Sequence, residues 1–166
     1  EVWSPVGVPI TIESCVIADN VSWSYGGGIS ARYGPALRLR LLNCTVAGNE
    51  ASNGGGLWSM ASNVAVDNSI FWGNTASTLG AQMSTASDTT LRFSDVEGGR
   101  ADIYVEPGFN LDWQLSNIVA DPTFVNVLGG DYHLNAGASP SPCIDAADSR
   151  LAVGLLDVER HPRIAG

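Results

Sequence analysis

Residues 10–20 (ITIESCVIADN), 39–49 (LRLLNCTVAGN) and 64–74 (VAVDNSIFWGN) align letter by letter without a gap. In each stretch the first, third and eighth positions are apolar, the sixth is Cys or Ser, and the last is Asn. Equivalent positions lie 29 and then 25 residues apart. A pattern that repeats at such a period is typical of a solenoid, in which each repeat forms one coil.

The spacing within each stretch indicates strands. Apolar residues two apart, a short gap and further apolar residues describe short strands joined by a bend. Glycine-rich segments follow each Asn, at residues 26–29 (GGGI), 54–57 (GGGL) and, in degraded form, 80–83 (GAQM). Glycines at a fixed place allow tight turns and close approach of neighbouring coils. The sequence therefore predicts an all-β parallel β-helix, which we expect to be right-handed because parallel crossovers are.

A fourth coil is predicted from a weaker match. With a step of 27 residues from Ser69 to Val96, the first, third and sixth positions of the repeat are taken by Leu91, Phe93 and Val96. Further short strands are predicted at 103–105, 118–119, 124–125 and 132–134, between Gly, Pro, Asp and Asn residues. We therefore expect about five coils of 25–29 residues in one domain, regular over 1–99 and less regular over 100–166.

Stacking would place equivalent residues about 4.8 Å apart, so that like residues form ladders. We expect Asn20, Asn49 and Asn74 to form a structural amide ladder, because Asn tolerates turn geometry and satisfies backbone groups there. Cys15 and Cys44 share a column and form either a buried pair of thiols or a disulfide between coils. Cys143 has no evident partner in the sequence.

Two tryptophans are candidates for contact with sugar rings. Trp58 follows the inward residue Leu57, and Trp72 follows the inward residue Phe71, so alternation sends both indoles outward. Together with Trp23 and Trp113 they could offer stacking platforms for glycans. The alternative is that neighbouring loops cover each indole.

The repeats resemble those of a known group of proteins. The triple glycines, the endings at 17–20, 46–49 and 71–74, and the Cys column are similar to bacterial right-handed parallel β-helix repeat proteins, including chlamydial polymorphic outer-membrane proteins. Residues 68–75, 93–99, 121–124 and 130–148 resemble the C-terminal half of large secreted bacterial β-helix proteins that often carry a surface anchor. The resemblance implies a secreted or cell-surface location.

Polysaccharide lyases share this fold, and in them carboxylates hold calcium while an Arg or Lys acts as base. Here one outward column is predicted to contain Thr11, Arg40, Ala65 and Arg92, and the neighbouring bend column to contain Glu13, Leu42, Asp67 and Ser94. Arg40, Asp67 and Arg92 would then converge as weak catalytic candidates. Solvated strand charges explain the same residues.

Metal and motif signals are weak elsewhere in the chain. Neither His133 nor His161 has a ligand-like neighbour, so we predict no metal site. Asp145, Asp148 and Asp157 lack the alternate-residue spacing of a calcium loop and suit turns instead. Residues 160–163 (RHPR) place the second Arg too close to Pro for the lyase element that they resemble.

Composition limits the choice of partners. The chain has 166 residues and a net charge of −9, and its eight basic residues are all Arg. This charge argues against nucleic acid as a partner and is compatible with loosely held calcium. No apolar run is long enough to span a bilayer. Because the sequence shows neither a leader nor polar caps, we expect a processed or truncated fragment whose ends meet further coils or stacked subunits.

The sequence thus favours a non-catalytic structural, adhesive or glycan-contacting β-helix segment with no required cofactor. The alternative is a polysaccharide lyase or another carbohydrate-active enzyme that acts on an acidic polysaccharide. The fold is better determined than the activity, because one fold can carry many functions.

Overall fold

The computed structural model describes residues 9–32, 37–60 and 63–151. Coil 1 contains β1 (Pro9–Glu13), β2 (Val16–Ala18) and β3 (Ile29–Ala31). Coil 2 contains β4 (Arg38–Leu42), β5 (Thr45–Ala47), β6 (Glu50–Asn53) and β7 (Leu57–Ser59). Coil 3 contains β8 (Asn63–Asp67), β9 (Ile70–Trp72), β10 (Thr75–Leu79) and β11 (Met83–Thr85). Coil 4 contains β12 (Asp88–Arg92), β13 (Asp95–Val96) and, after a 3-10 turn at Gly99–Asp102, β14 (Ile103–Val105).

The remaining described elements follow coil 4. They are β15 (Leu111–Trp113), β16 (Phe124–Asn126), a 3-10 turn at Val127–Gly129, β17 (Asp131–Leu134) and a 3-10 turn at Ser149–Leu151. β16 and β17 pair antiparallel and form a hairpin. No helix in the described ranges has the length and apolar character needed to cross a membrane.

Three stacked parallel sheets form the main walls of the solenoid, and β6 and β10 pair in a shorter parallel sheet between the second and third of them along the chain. Sheet I has the order β1-β4-β8-β12-β15, sheet II the order β13-β9-β5-β2, and sheet III the order β14-β11-β7-β3. The predicted register of the first three coils is confirmed, since Leu41 pairs with both Ile12 and Val66, and Val46 with both Ile17 and Phe71. The prediction of an all-β parallel solenoid is also confirmed, with about four turns instead of five.

The predicted register of coil 4 is wrong by two residues. Leu91 pairs with Val66 and therefore occupies the third position of the repeat, while Thr89 pairs with Val64 and occupies the first. Thr89 is 1% exposed, and its hydroxyl donates to the carbonyl of Ser87 and bonds the hydroxyl of Thr85. These hydrogen bonds let the polar residue Thr89 occupy a buried position that is apolar in the other coils. The hydrophobic pattern of the sequence therefore does not indicate the correct register.

The later strand predictions have mixed outcomes. Residues 103–105, 124–126 and 131–134 are strands, whereas Ile118 forms only an isolated bridge to Asp95. The hairpin of β16 and β17 belongs to no coil, because its strands pair with each other.

The bends between sheets I and II require left-handed backbone. Asn43 and Asn68 have φ of 54° and 49°, and Phe93 has φ of 50° at the equivalent place in coil 4. Asn tolerates left-handed backbone because its short polar side chain can hydrogen-bond to nearby groups. Phe has no such side chain and rarely adopts this conformation. The triple glycines lie where the backbones of neighbouring coils approach too closely for a side chain. A Cβ on Gly27 would meet the carbonyl oxygens of Glu50 and Gly55 at 2.5 Å. The Asn residues at the bends and the triple glycines therefore occupy positions where the backbone turns sharply or packs against the backbone of a neighbouring coil.

An amide ladder crosses the coils inside the turn after sheet II. Asn20 Nδ2 donates to Asn49 Oδ1 at 2.9 Å, and Asn49 Nδ2 donates to Asn74 Oδ1 at 2.9 Å. Asn74 Nδ2 donates to Gln82 Oε1 at 2.7 Å, and Gln82 Nε2 donates to Glu97 at 3.1 Å. Each Oδ1 of Asn49 and Asn74 also accepts the backbone N–H of the preceding Asn in the ladder. The ladder thus satisfies buried backbone and side-chain groups together.

The hydrophobic core runs through the middle of the coils. Its fully enclosed members come from all three sheets and include Leu39, Leu41, Val46, Leu57, Val64, Val66, Phe71, Met83, Leu91 and Val96. Because the core residues of one coil pack against those of the next, stacking removes apolar surface from water and stabilises the contact between coils.

The C-terminal tail, residues 120–151, folds back along the outside of the solenoid. The Tyr132 hydroxyl donates to Asp19 Oδ1 at 2.7 Å in coil 1. Asn68 exchanges two hydrogen bonds with the backbone of Asp148, and Asn43 Nδ2 donates to the carbonyl of Leu151 at 3.1 Å. The tail therefore reaches coils 1, 2 and 3 as well as its neighbour, coil 4.

We expect Asn49→Ala to lower the free energy of unfolding by about 2–4 kcal/mol, because it leaves several buried donors and acceptors of neighbouring coils unsatisfied. Urea denaturation followed by circular dichroism measures the change. Asn63→Ala, at an exposed position of β8, is the control and should change stability by less than about 0.5 kcal/mol. Equal effects of the two substitutions would contradict the structural role of the ladder.

Candidate functional site

Two aromatic residues stand on the outer face of sheet III. The register aligns Ser30, Trp58, Ser84 and Tyr104 across the four strands. Their chain neighbours Leu57, Met83 and Ile103 belong to the core. Because side chains alternate along a strand, this column faces outward, with Trp58 and Tyr104 on either side of Ser84.

Trp58 is held in place by two residues of coil 1. The rings of Tyr25 and Trp58 have centroids 4.5 Å apart and an interplanar angle of 31°. The Arg32 guanidinium lies 5.2 Å from the Tyr25 centroid and 5.3 Å from that of Trp58. Cation–π and aromatic contacts of this kind contribute about 0.5–1.5 kcal/mol each. The indole is thus supported from the coil 1 side before any ligand arrives.

A cavity of about 280 Å³ opens beside these aromatics. Its described lining comes from three neighbouring columns and from Thr85, which pairs with Ser59 and Val105. The three columns are Tyr25, Asn53 and Leu79; Trp58, Ser84 and Tyr104; and Met60, Ala86 and Glu106. Small residues in coil 3, Ser84 and Ala86, form the low part between the larger residues of coils 2 and 4. Apolar walls with a few polar groups are typical of ligand sites.

The structure separates the two tryptophans that the sequence singled out. Trp58 lies in β7 of sheet III, whereas Trp72 ends β9 of sheet II. Both are half-buried, but they belong to different faces and form no common platform. Trp23 is 95% exposed outside this cavity lining, and Trp113 packs against the core.

The second candidate cluster forms on sheet I. The prediction that Arg92 lies in the column of Arg40 is wrong. Arg92 pairs with Asp67 instead, because the register of coil 4 is shifted by two residues. The three side chains nevertheless meet: Arg40 Nε lies 2.9 Å from Asp67 Oδ2, and Arg92 Nη2 lies 2.8 Å from Oδ1. A hydrogen bond from the Arg92 Nε to the same carboxylate also raises the pKa of Arg92.

This cluster has the geometry of a structural ion network. The Asp67 side chain is 1% exposed, while those of Arg40 and Arg92 are 38% and 46% exposed. Each carboxylate oxygen therefore accepts from one guanidinium, and the two arginines cover the acid. A base or metal ligand needs oxygen lone pairs that a substrate or ion can reach. The arrangement offers exposed guanidinium edges but little access to the carboxylate.

Asp95 and Cys143 form a third cluster, which no feature of the sequence predicts. Asp95 faces outward from β13 but is 3% exposed because the tail covers it. Its Oδ1 accepts the backbone N–H of Ala120 at 3.0 Å, and the Cys143 thiol donates to Oδ2 at 3.1 Å. These residues are 48 positions apart, and no repeat or motif links them. Only the return of the tail brings them together.

The environment of this pair suppresses ionisation. Burial is the main factor that raises the pKa of Asp95, and burial together with the neighbouring Asp95 raises the pKa of Cys143 to about 12. A thiol that keeps its proton at neutral pH is a poor nucleophile. The adjoining cavity of about 190 Å³, between sheet II and the tail, is lined largely by apolar groups such as Ile70, Phe93 and Leu134.

The cysteine column contains free thiols. Cys15 is exposed and Cys44 is buried, and neither forms a disulfide. Cys44 Sγ lies 3.4 Å from the carbonyl oxygen of Leu42, and burial raises its pKa. Ser69 and Ser94 fill the same column in coils 3 and 4, where their hydroxyls accept the backbone N–H of the preceding coil. The column thus selects small residues that can hydrogen-bond.

Metal ligands do not cluster in the described ranges 9–32, 37–60 and 63–151, where no group of three His, Cys, Asp or Glu is placed to hold an ion. The Asp148 carboxylate is engaged by Arg150 at 2.8 Å, which lowers the pKa of Asp148. His133 contacts Asp131 at 2.6 Å. The predictions for Asp157, His161 and residues 160–163 concern positions outside the described residues.

Comparison of this chain with protein-family models, with curated protein sequences and with solved structures gives no match. Functional inference therefore depends on the geometry of the sites themselves.

We expect Arg40→Ala and Arg92→Ala each to lower the free energy of unfolding by about 1 kcal/mol, because the other arginine still neutralises Asp67. The double variant should lose more than the sum of the two single effects, since it leaves the Asp67 carboxylate without a cationic partner. Urea denaturation of the full cycle measures this coupling, and Arg38→Ala, at an exposed position of β4, is the control. Additive effects would show that the three groups do not act as one network.

Cys143 should react slowly in the folded protein. In a Cys15→Ser, Cys44→Ser background, we expect alkylation by iodoacetamide at pH 8 to be at least about tenfold slower in the folded protein than in urea, because burial and Asp95 raise the pKa of Cys143 from 9.0 to about 12 and the thiolate is the nucleophile. Asp95→Asn should accelerate the reaction of the folded protein by removing the neighbouring negative charge. An unchanged rate in that variant would contradict the contact.

The same thiol should make stability depend on pH in the alkaline range. The unfolded thiol loses its proton near its ordinary pKa of 9.0, whereas the folded thiol keeps it until about pH 12. The unfolded state therefore binds fewer protons in this window, and the free energy of unfolding falls as pH rises from 9 to 12. Comparison with Cys143→Ser isolates this contribution, and parallel pH curves for the two proteins would contradict it.

Proposed function

We propose that this chain is a non-catalytic β-solenoid segment of a secreted or cell-surface bacterial protein, and that it contacts glycans through the aromatic cavity on sheet III. The observation that carries the proposal is that Trp58 and Tyr104 both line the cavity, one on each side of the small residue Ser84. Sugars bind to aromatic faces through apolar C–H surface and to nearby polar groups through hydrogen bonds. The cavity supplies both kinds of group.

The fixed position of Trp58 supports this proposal. Tyr25 and Arg32 already hold the indole, so little side-chain entropy remains to be lost when a ligand stacks on it. An aromatic residue with two rotatable side-chain angles supplies contact area at a low entropic cost. Trp23, 95% exposed and two residues from Tyr25, could extend the contact surface.

A rod-like role accompanies the proposed binding. β1, β2 and β3 each lie at the end of their sheet within the described residues, and Ile10, Ile12 and Ile17 are only partly buried there. Strand edges with apolar neighbours pair readily with further strands. We propose that this end stacks on another coil of a parent chain or on another subunit, and that the rod displays the aromatic cavity.

The alternative is a carbohydrate-active enzyme that acts on an acidic polysaccharide, and it depends on the meeting of Arg40, Asp67 and Arg92. The enclosed carboxylate gives this alternative less support. Incubation with pectins and alginates, followed by the absorbance of unsaturated uronates, separates the two. We expect no product; product that disappears in Arg40→Ala would favour the enzyme.

We expect Trp58→Ala to weaken binding to a responsive glycan by tenfold or more, which corresponds to about 1.4 kcal/mol. A glycan array with the intact chain identifies responsive glycans, and isothermal titration calorimetry measures the loss. Trp72→Ala is the matched control, because Trp72 is also half-buried but lies on sheet II. Circular dichroism checks that both variants are folded. Equal binding by Trp58→Ala and the unmodified protein would contradict the proposed site.

A further inference from the structure

We propose that the cavity on sheet III accepts one uncharged pyranose ring whose ring substituents are all equatorial, as in β-linked glucose, xylose or N-acetylglucosamine, held between Trp58 and Tyr104. This inference rests on the proposed glycan binding and names the class of sugar that the geometry selects.

The width of the cavity limits the ligand to one layer. Trp58 and Tyr104 are separated by one strand, so their Cα atoms lie about 9.6 Å apart, twice the strand spacing. A ring in contact with an aromatic face on each side needs two contacts of about 3.5–4.0 Å, or about 7–8 Å in all. Two stacked layers would need three such contacts and would not fit. The register therefore selects a single ring.

Contact on both sides selects the stereochemistry of the ring. When every hydroxyl is equatorial, both faces of a pyranose present only axial C–H groups, and both can be apolar contacts. One axial hydroxyl, as at C4 of galactose or C2 of mannose, places a polar group on one face. Against an aromatic wall that hydroxyl would lose its hydrogen bond to water without replacement, which is unfavourable by about 1–3 kcal/mol. A site with one aromatic wall would not discriminate in this way.

The polar groups of the cavity are arranged for the rim of such a ring. Asn53 ends β6, before the glycines that precede β7, whereas Glu106 follows the end of β14. Along the strand direction, these two residues therefore lie on opposite sides of the outward column. Ser84 lies on the floor, and the residue is 5% exposed. Equatorial hydroxyls project outward around the ring, toward groups placed at its edge rather than over its faces.

Charge argues against acidic sugars at this position. Glu106 is the only charged residue among the described residues of the lining, and the whole chain has a net charge of −9. Arg32 contacts Tyr25 and Trp58 and is not part of that lining. A uronate would lie beside the Glu106 carboxylate, while the Arg32 guanidinium is already engaged with the two rings, so charge complementarity favours a neutral ring.

Titration calorimetry with four tetrasaccharides tests the proposal: β-1,4-linked oligomers of glucose, galactose and mannose, and oligogalacturonate. We expect the glucose oligomer to bind at least tenfold more tightly than each of the other three, and Trp58→Ala to weaken this binding by tenfold or more. Equal or tighter Trp58-dependent binding of the galactose, mannose or uronate ligand would overturn the proposed sugar class but leave glycan binding intact. Failure of all four ligands, and of the glycan array, would overturn both.

Removal of one wall gives a sharper test of the two-sided contact. In Tyr104→Ala the ring has one aromatic partner, so the preference for the glucose over the galactose oligomer should fall toward one, whereas Tyr104→Phe should keep it. A variant that merely lost stability would weaken both ligands by the same factor. Retention of the full preference in a folded Tyr104→Ala variant would contradict the two-sided geometry.

Discussion

The hydrogen bonds between successive coils are the constraint on which the rest of this structure depends. Each coil is too small to enclose its own apolar residues, and it becomes stable only when a neighbour covers it. Parallel pairing fixes which residue lies over which, because a shift by one residue would send the inward side chains outward. Val46, between Ile17 and Phe71, and Asn49, between Asn20 and Asn74, are both placed by this one register.

The same register turns single residues into sites. Trp58 and Tyr104 are 46 positions apart in the chain, yet pairing through Ser84 makes them two walls of one cavity. On sheet I the register brings two arginines onto one aspartate. The outcomes differ because of burial: the carboxylate is enclosed by its partners, whereas the aromatic cavity is open. Local surroundings, rather than residue type, therefore separate a structural cluster from a candidate binding site.

Much of the fold could be predicted from the sequence, because the first three coils repeat the same letters at the same places. Leu41, Val46 and Asn49 could be aligned with their neighbours by inspection. Coil 4 could not, since Thr89 replaces an apolar residue and compensates through hydrogen bonds that the sequence does not display. The sequence predicts further coils where β16 and β17 form a hairpin, because period-two patterns do not distinguish parallel from antiparallel pairing.

The candidate site could be predicted only in part. Alternation indicates that Trp58 faces outward, but its supports in coil 1 depend on the positions of Tyr25 and Arg32 after variable turns. Tyr104 could have been found from its place beside Ile103 once coil 4 was aligned correctly. The Asp95–Cys143 contact had no signal, because it forms when the tail returns to coil 4.

Nuclear Overhauser contacts around Ser84 in isotopically labelled protein test the account most directly. Vertical register predicts that Ser84 gives cross-peaks to both Trp58 and Tyr104, with Leu41 giving cross-peaks to both Ile12 and Val66. Cross-peaks from Ser84 to only one of these aromatics, or to residues shifted by one along either strand, would contradict the register and the cavity that depends on it.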